Sequence, residues 1–149
     1  MLEIIFNRTL YIGKGSLEQL PHLLSSKDVK NAMLVVFDGS SPFVIRTAES
    51  LKNSSINVTI YDKVKKEPDV NIIDEGVKLL HEHNCDAVVA IGGGSVIDTA
   101  KSMALITTNG GSAEDYQMYN RPVTREPVYF VAVPTTAGTG AEATKVSVI

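Results

Sequence analysis

Three unbroken apolar stretches, each of strand length, constrain the fold of this chain more than any other feature. They are "AMLVVFD" (Ala32 to Asp38), "CDAVVAIG" (Cys85 to Gly92) and "EPVYFVAVP" (Glu126 to Pro134). A strand with one wet face alternates apolar and polar residues. A strand that is apolar throughout must be covered on both faces, as in a parallel sheet flanked by helices. The segments between them have helical character. "PFVIRTAESLK" begins with Pro42, where a missing N–H does no harm in a first turn. After Asp69, a good N-cap, Val70, Ile73, Val77 and Leu80 keep helical spacing. Val96, Ile97, Ala100, Met103 and Ala104 do the same after the second apolar run. "INVTIYD" (Ile56 to Asp62), rich in β-branched residues, predicts a further strand. At the start, "LEIIF" (Leu2 to Phe6) and "TLYIG" (Thr9 to Gly13) read as a hairpin. "SLEQLPHLL" then reads as a short helix capped by Ser16 and limited by Pro21. Strand and helix alternate, so the expected class is α/β: a doubly wound, mainly parallel sheet with helices on both faces.

Length and composition narrow the function. The 149 residues fit one domain with a substantial core. A formal net charge of −3 offers no basic footprint for nucleic acid. The single cysteine, Cys85, excludes an internal disulfide and suits a reducing compartment. No basic segment followed by a long apolar run opens the chain, and no apolar run approaches the ~18 residues of a membrane span. A cytoplasmic protein without membrane contact is the expectation. The segment from Thr107 to Pro127 reads as a long loop, either an exposed mobile flap or a functional lid.

In an open α/β sheet ligands bind beyond the C-terminal ends of the strands. Three such ends carry unusual residues. In "AIGGGSVIDTAK" three glycines, Gly92 to Gly94, hand a strand over to a helix. A helix N-terminus offers unpaired N–H groups to a phosphate, glycine lets it approach, and Ser95 can add a hydroxyl. A tight turn without a ligand is the alternative. The spacing is not G-x-G-x-x-G, since Ile97 stands at the third position, and no Lys-Ser/Thr pair makes a nucleoside-triphosphate loop. Asp38 ends its strand as an acid placed to accept ribose hydroxyls, which favours NAD over NADP; "DGSSP" is equally good turn chemistry. In "PTTAGTGAEATK", Thr135, Thr136 and Thr139 crowd hydroxyls beside Gly138 and Gly140, a loop able to surround a pyrophosphate or a nicotinamide ribose.

"GGGSVIDTAK" and "PTTAGTGAEATK" together resemble the two nucleotide-side signatures of the iron-containing (group III) alcohol dehydrogenases. "YIGKGSLEQL", "VVFDGS" and "KVKKEPDV" resemble weaker features of that family in the same order, so the resemblance covers essentially the whole chain. It implies a Rossmann-like fold and reversible hydride transfer between an alcohol or aldehyde and NAD(P). It implies that Asp38 takes the adenosine ribose. Gly93, Gly94 and Ser95 would hold the pyrophosphate, and Thr135, Thr136 and Thr139 would line the pyrophosphate and nicotinamide end. Asp98 and Lys101 belong to the motif, either at the cofactor or bracing neighbouring loops. Family members often dimerise, and the N-terminal hairpin is the expected contact.

The same resemblance implies a metal, iron or zinc, that polarises the alcohol oxygen from a helical second domain. The ligands there are an acid and histidines, and this sequence stops at "KVSVI". His81 and His83 flank Glu82, but alternate helical residues point about 200° apart, so a solvated helix end accounts for them. The expectation is therefore a dinucleotide-binding domain over 1–149 with no catalytic or metal-ligating residue of its own, inactive in isolation. A glycerol dehydrogenase or dehydroquinate synthase-like relative, and a non-catalytic binding module, are the alternatives.

Overall fold

The computed structural model describes residues 9–65, 69–117, 121–144 and 147. Four strands form one parallel sheet: β1 (Asn31–Val36), β2 (Asn57–Tyr61), β3 (Ala87–Gly92) and β4 (Tyr129–Pro134), in the order β2-β1-β3-β4. Five helices accompany them: α1 (Leu20–Ser25), α2 (Pro42–Asn53), α3 (Val70–Glu82), α4 (Gly94–Asn109) and the one-turn α5 (Ala113–Tyr116). The expected doubly wound parallel sheet is present, with every described strand pair parallel.

Side-chain parity divides the core into two layers, because successive strand residues face opposite sides. Ala32, Leu34 and Val36 of β1, with Ala87, Val89 and Ile91 of β3, bury against α1 and α2 through Leu20, Leu24, Val44, Ala48 and Leu51. Met33 and Val35, with Val88 and Ala90, bury against α3 and α4 through Ile73, Leu80, Ile97 and Met103. Both central strands are closed on both faces, hence their unbroken apolar sequence. The edge strand β2 is not: Ile60 remains 41% exposed, and its sequence correspondingly mixes in Asn57 and Thr59. At the N-terminal end of the sheet the Asp86 carboxylate accepts the N–H groups of Lys30 (2.9 Å) and Asn31 (3.1 Å), which fixes β1 against β3.

Several expected details differ. Thr9 to Gly13 forms no strand, and Leu2 to Phe6 lies outside the described residues. Leu10 and Ile12 are largely exposed, so this short segment has no packed face to hold a strand. Ser16 is not a cap. It opens a 3-10 turn (Ser16–Gln19) whose N-cap is Gly15 in left-handed backbone (φ 83°), a conformation glycine tolerates. Asp69 does cap α3, its carboxylate accepting the N–H of Asn71 at 2.7 Å.

The described parts of the long segment after α4 are tied down. Helix α4 continues through Asn109, whose carboxamide donates to the carbonyls of Leu105 and Arg125 and accepts the N–H groups of Thr124 and Arg125, each at 2.9 Å. Ser112 and Asp115 cap α5 reciprocally, and the Asp74 carboxylate of α3 accepts the N–H of Ala113 at 2.7 Å.

Helix α4 is buried on more sides than its apolar stripe predicts, since β4, α3 and a 3-10 turn at Ala141–Ala143 all pack against it. Thr99 is consequently fully buried, and its hydroxyl has no hydrogen-bond partner among the described residues. An unsatisfied buried hydroxyl is destabilising. A Thr99→Val variant should therefore gain about 1 kcal/mol of stability. A urea midpoint that stays put or falls would show that the hydroxyl is satisfied.

Candidate functional site

The C-terminal ends of β1, β3 and β4 open onto one cleft of about 570 Å³. Its position follows from strand order. From β1 the chain leaves through α2 toward β2; from β3 it leaves through α4 toward β4, on the opposite face of the sheet. The two helices diverge where the winding direction reverses, and the gap between them is the crevice. Register places the rims level: Val36 pairs with Ile91, and Gly92 with Pro134.

Six of the residues singled out in the sequence line this cleft: Asp38, Gly93, Gly94, Ser95, Thr135 and Thr136. Asp38 follows β1, and the hydrogen bonds it accepts fall on Oδ1, from the Ser40 hydroxyl (2.7 Å) and the Ser40 N–H (2.9 Å). The turn chemistry of "DGSS" is thus real, and it occupies one carboxylate oxygen. The Ser40 hydroxyl first and then the Ser40 amide hold the Asp38 carboxyl below its ordinary value; desolvation opposes them, and the Lys65 charge adds a lesser lowering.

Gly93 is the N-cap of the 16-residue α4, and no side chain caps this helix. Its first N–H groups therefore point into the cleft end without a side-chain acceptor. The glycines are required by what stands opposite. A Cβ on Gly94 would lie 2.8 Å from Thr139 Cγ2 and 3.1 Å from Thr139 Cβ, and one on Gly93 would lie 3.0 Å from Thr136 Oγ1. The N–H of Thr135 donates to the Gly92 carbonyl at 3.0 Å, so the threonine loop is an extension of the β3–β4 pairing laid directly on the glycine turn. Gly138 and Gly140 have positive φ, at 139° and 66°, as the tight return of that loop needs.

Thr139 does not line the cleft; it packs behind Gly94. Asp98 is set back as well. One turn into α4, it pairs with Lys101 at 2.9 Å, and the two side chains are only 14% and 13% exposed. Lys101 also donates to the Thr144 hydroxyl (3.2 Å) and carbonyl (3.3 Å). The pair joins α4 to the far end of the threonine loop.

Phe37, Phe43 and Lys65 also line the cleft, and the sequence assigned none of them a role there. Phe37 is 57% exposed beside Asp38, and the Lys65 ammonium, from the β2–α3 connection, donates to the Phe37 carbonyl and lies 5.1 Å from the Phe37 ring centroid. The lysine-rich "KVKKEP" after β2 was the only available signal, and its sequence distance from β1 conceals the contact.

Among the described residues no group of three or more His, Cys, Asp or Glu side chains is placed to hold a metal ion. The side chains present here do not fit the metal that the family resemblance implies. No described helix is long and apolar enough to cross a membrane.

Fold and cleft together define the class: a doubly wound α/β domain with a glycine turn and a hydroxyl-rich loop meeting at its switch point. Within that class the chain belongs to the iron-containing alcohol dehydrogenase family, whose model matches residues 7–149. It is 37% identical over 141 residues to alcohol dehydrogenase 4 of Saccharomyces cerevisiae, covering 93% of this chain and 37% of that one. It is 38% identical over 140 residues to the NAD-dependent methanol dehydrogenase of Bacillus methanolicus, covering 93% and 36%. A solved 1,3-propanediol oxidoreductase superposes with a TM-score of 0.85 at 27% identity, over 97% of this chain and 38% of that one. The chain thus spans a little over a third of the length of the relatives it matches.

Proposed function

We propose that this chain is the dinucleotide-binding part, over 1–149, of an NAD(P)-dependent alcohol dehydrogenase, with NAD the preferred cofactor. The observation that carries the reading is the cleft at the strand ends, where the uncapped N-terminus of α4 with Gly93, Gly94 and Ser95 opens beside Asp38, Thr135 and Thr136. A helix N-terminus whose N–H groups have no side-chain acceptor suits an entering diphosphate. The relatives' names supply the chemistry, since one is an NAD-dependent methanol dehydrogenase and another an alcohol dehydrogenase.

In this reading the uncapped N–H groups of α4 and the Ser95 hydroxyl hold the pyrophosphate, and Thr135 and Thr136 orient the nicotinamide end. The remaining oxygen of Asp38 accepts from the adenosine ribose hydroxyls. When bound, the nicotinamide supplies the hydride-accepting carbon for an alcohol. Asp98 and Lys101 hold the threonine loop in register without touching the cofactor. Orienting the dinucleotide is the contribution of these residues; polarising the alcohol oxygen falls to groups elsewhere in the enzyme. A cytoplasmic setting belongs to the same proposal.

Calorimetric titration with NAD⁺ and NADP⁺ tests it, alongside Asp38→Ala. Loss of the ribose hydrogen bonds should weaken NAD⁺ roughly 10-fold while NADP⁺ binds no worse. Because the Asp38 pKa is depressed, NAD⁺ affinity should persist as pH falls to the ordinary aspartate value and decline only below it. Equal weakening of both cofactors in the variant would remove the assignment of Asp38, and absence of binding to either would remove the function.

A further inference from the structure

We propose that Lys65 is a specificity-determining residue, which lets the adenosine end of this cleft accept a 2′-phosphate and so admit NADP alongside NAD. The inference rests on the dinucleotide reading of the cleft and concerns one end of it.

The charges around the end of β1 are the starting point. Asp38 would repel a 2′-phosphate, and Asp62 stands close behind, its Oδ2 lying 3.1 Å from where a Cβ on Gly39 would be. Two carboxylates alone would make this a strongly NADP-excluding pocket. Lys65 opposes them. Its backbone is turned back by the hydrogen bond from its N–H to the Lys63 carbonyl at 2.9 Å, and its ammonium reaches across from the β2 side to the Phe37 carbonyl. The Phe37 ring supports it at 5.1 Å. Anchorage on a carbonyl uses one of three ammonium donors, and neither the carbonyl nor the ring carries a formal charge, so the ammonium still acts on the nearby Asp38 carboxylate and on any anion set beside it.

Lys65 and Asp38 line the same cleft, one residue from each side of Phe37's backbone carbonyl. A ribose hydroxyl set against Asp38 therefore places any 2′-substituent within the field of Lys65. A cation beside the ribose acid is the general device by which such folds accommodate a 2′-phosphate. NAD, lacking that phosphate, gains little from it. The ammonium is exposed, so the attraction is modest and salt-sensitive.

The 149-residue chain and its Lys65→Gln and Lys65→Arg variants, titrated with NAD⁺ and NADP⁺ at low and high salt, test the proposal. Expected are a roughly 5-fold loss of NADP⁺ affinity in Lys65→Gln at low salt, with NAD⁺ changed less than about 2-fold, and retention of NADP⁺ binding in Lys65→Arg. The ratio between cofactors is the readout, because a structural role would lower both together. Equal loss for both, no change for either, or native binding of NAD⁺ with none of NADP⁺ would each overturn the role of Lys65 and leave the dinucleotide site standing. Failure of the native chain to bind either cofactor would overturn the dinucleotide site and this inference with it.

Discussion

Gly94→Ala is expected to weaken NAD⁺ binding roughly 100-fold while leaving the fold intact, the effect of losing two hydrogen bonds to a charged pyrophosphate. The new methyl would meet Thr139 at its Cγ2 (2.8 Å), Oγ1 (2.9 Å) and Cβ (3.1 Å). Threonine is stiff at Cβ, so relief cannot come from rotating a distant atom. The threonine loop must move away from the helix end, which displaces Thr135 and Thr136 from the cleft wall. Helix propensity works in the other direction, since alanine is better than glycine by up to ~1 kcal/mol. The thermal midpoint should therefore change little even as binding collapses. Calorimetry and a melting curve on the same preparation separate the two effects. Native-like affinity in Gly94→Ala would mean that the glycine turn serves packing alone.

The second large effect is on stability. Lys101→Met leaves the Asp98 carboxylate, 14% exposed, without the ammonium that lies 2.9 Å from it. It also removes the tie to Thr144. Removing one partner of a largely buried ion pair is strongly destabilising, and about 3 kcal/mol is expected here. Replacing Asp98 with Asn in the same chain removes the charge that Lys101 balanced, so the Asp98→Asn, Lys101→Met double variant should recover most of the loss. Chemical denaturation measures both, and limited proteolysis should show the 134–144 region cut faster in the single variant. A loss below about 1 kcal/mol, or a double variant no better than the single, would contradict the bracing role.

The layers of the fold were legible because burial on both faces writes itself into sequence. Leu34 and Val35 face opposite helical layers, yet both are apolar, and no wet strand would show that. The site was legible to the extent that its chemistry is local. Gly93, Gly94 and Ser95 are adjacent in the chain, and the need for clearance there could be read without knowing what stands opposite. The contact with Thr139, 45 positions later, could only be surmised from the family resemblance. Lys65 escaped notice for the same reason in stronger form: its partner Phe37 lies 28 residues away, and nothing in "KVKKEP" points to a β1 carbonyl. The expected strand at Thr9 to Gly13 fails because β-propensity expresses fit to a half-buried surface, and Leu10 and Ile12 find none. Asn109 reads as an ordinary loop polar residue, and its role as an anchor for Thr124 and Arg125 depends on a geometry that spacing does not encode.

The cleft draws its two ends from different βα units. Asp38, Phe37 and Lys65 come from the β1–β2 side, while the glycine turn and the threonine loop come from β3 and β4. Only the second group is interlocked side chain to glycine, so its members constrain one another and can change only in concert. The first group is joined more loosely, through the exposed Lys65 ammonium resting on Phe37. On the proposed reading, cofactor preference could change by substitution at the β1 end alone, with the glycine turn and the threonine loop held constant.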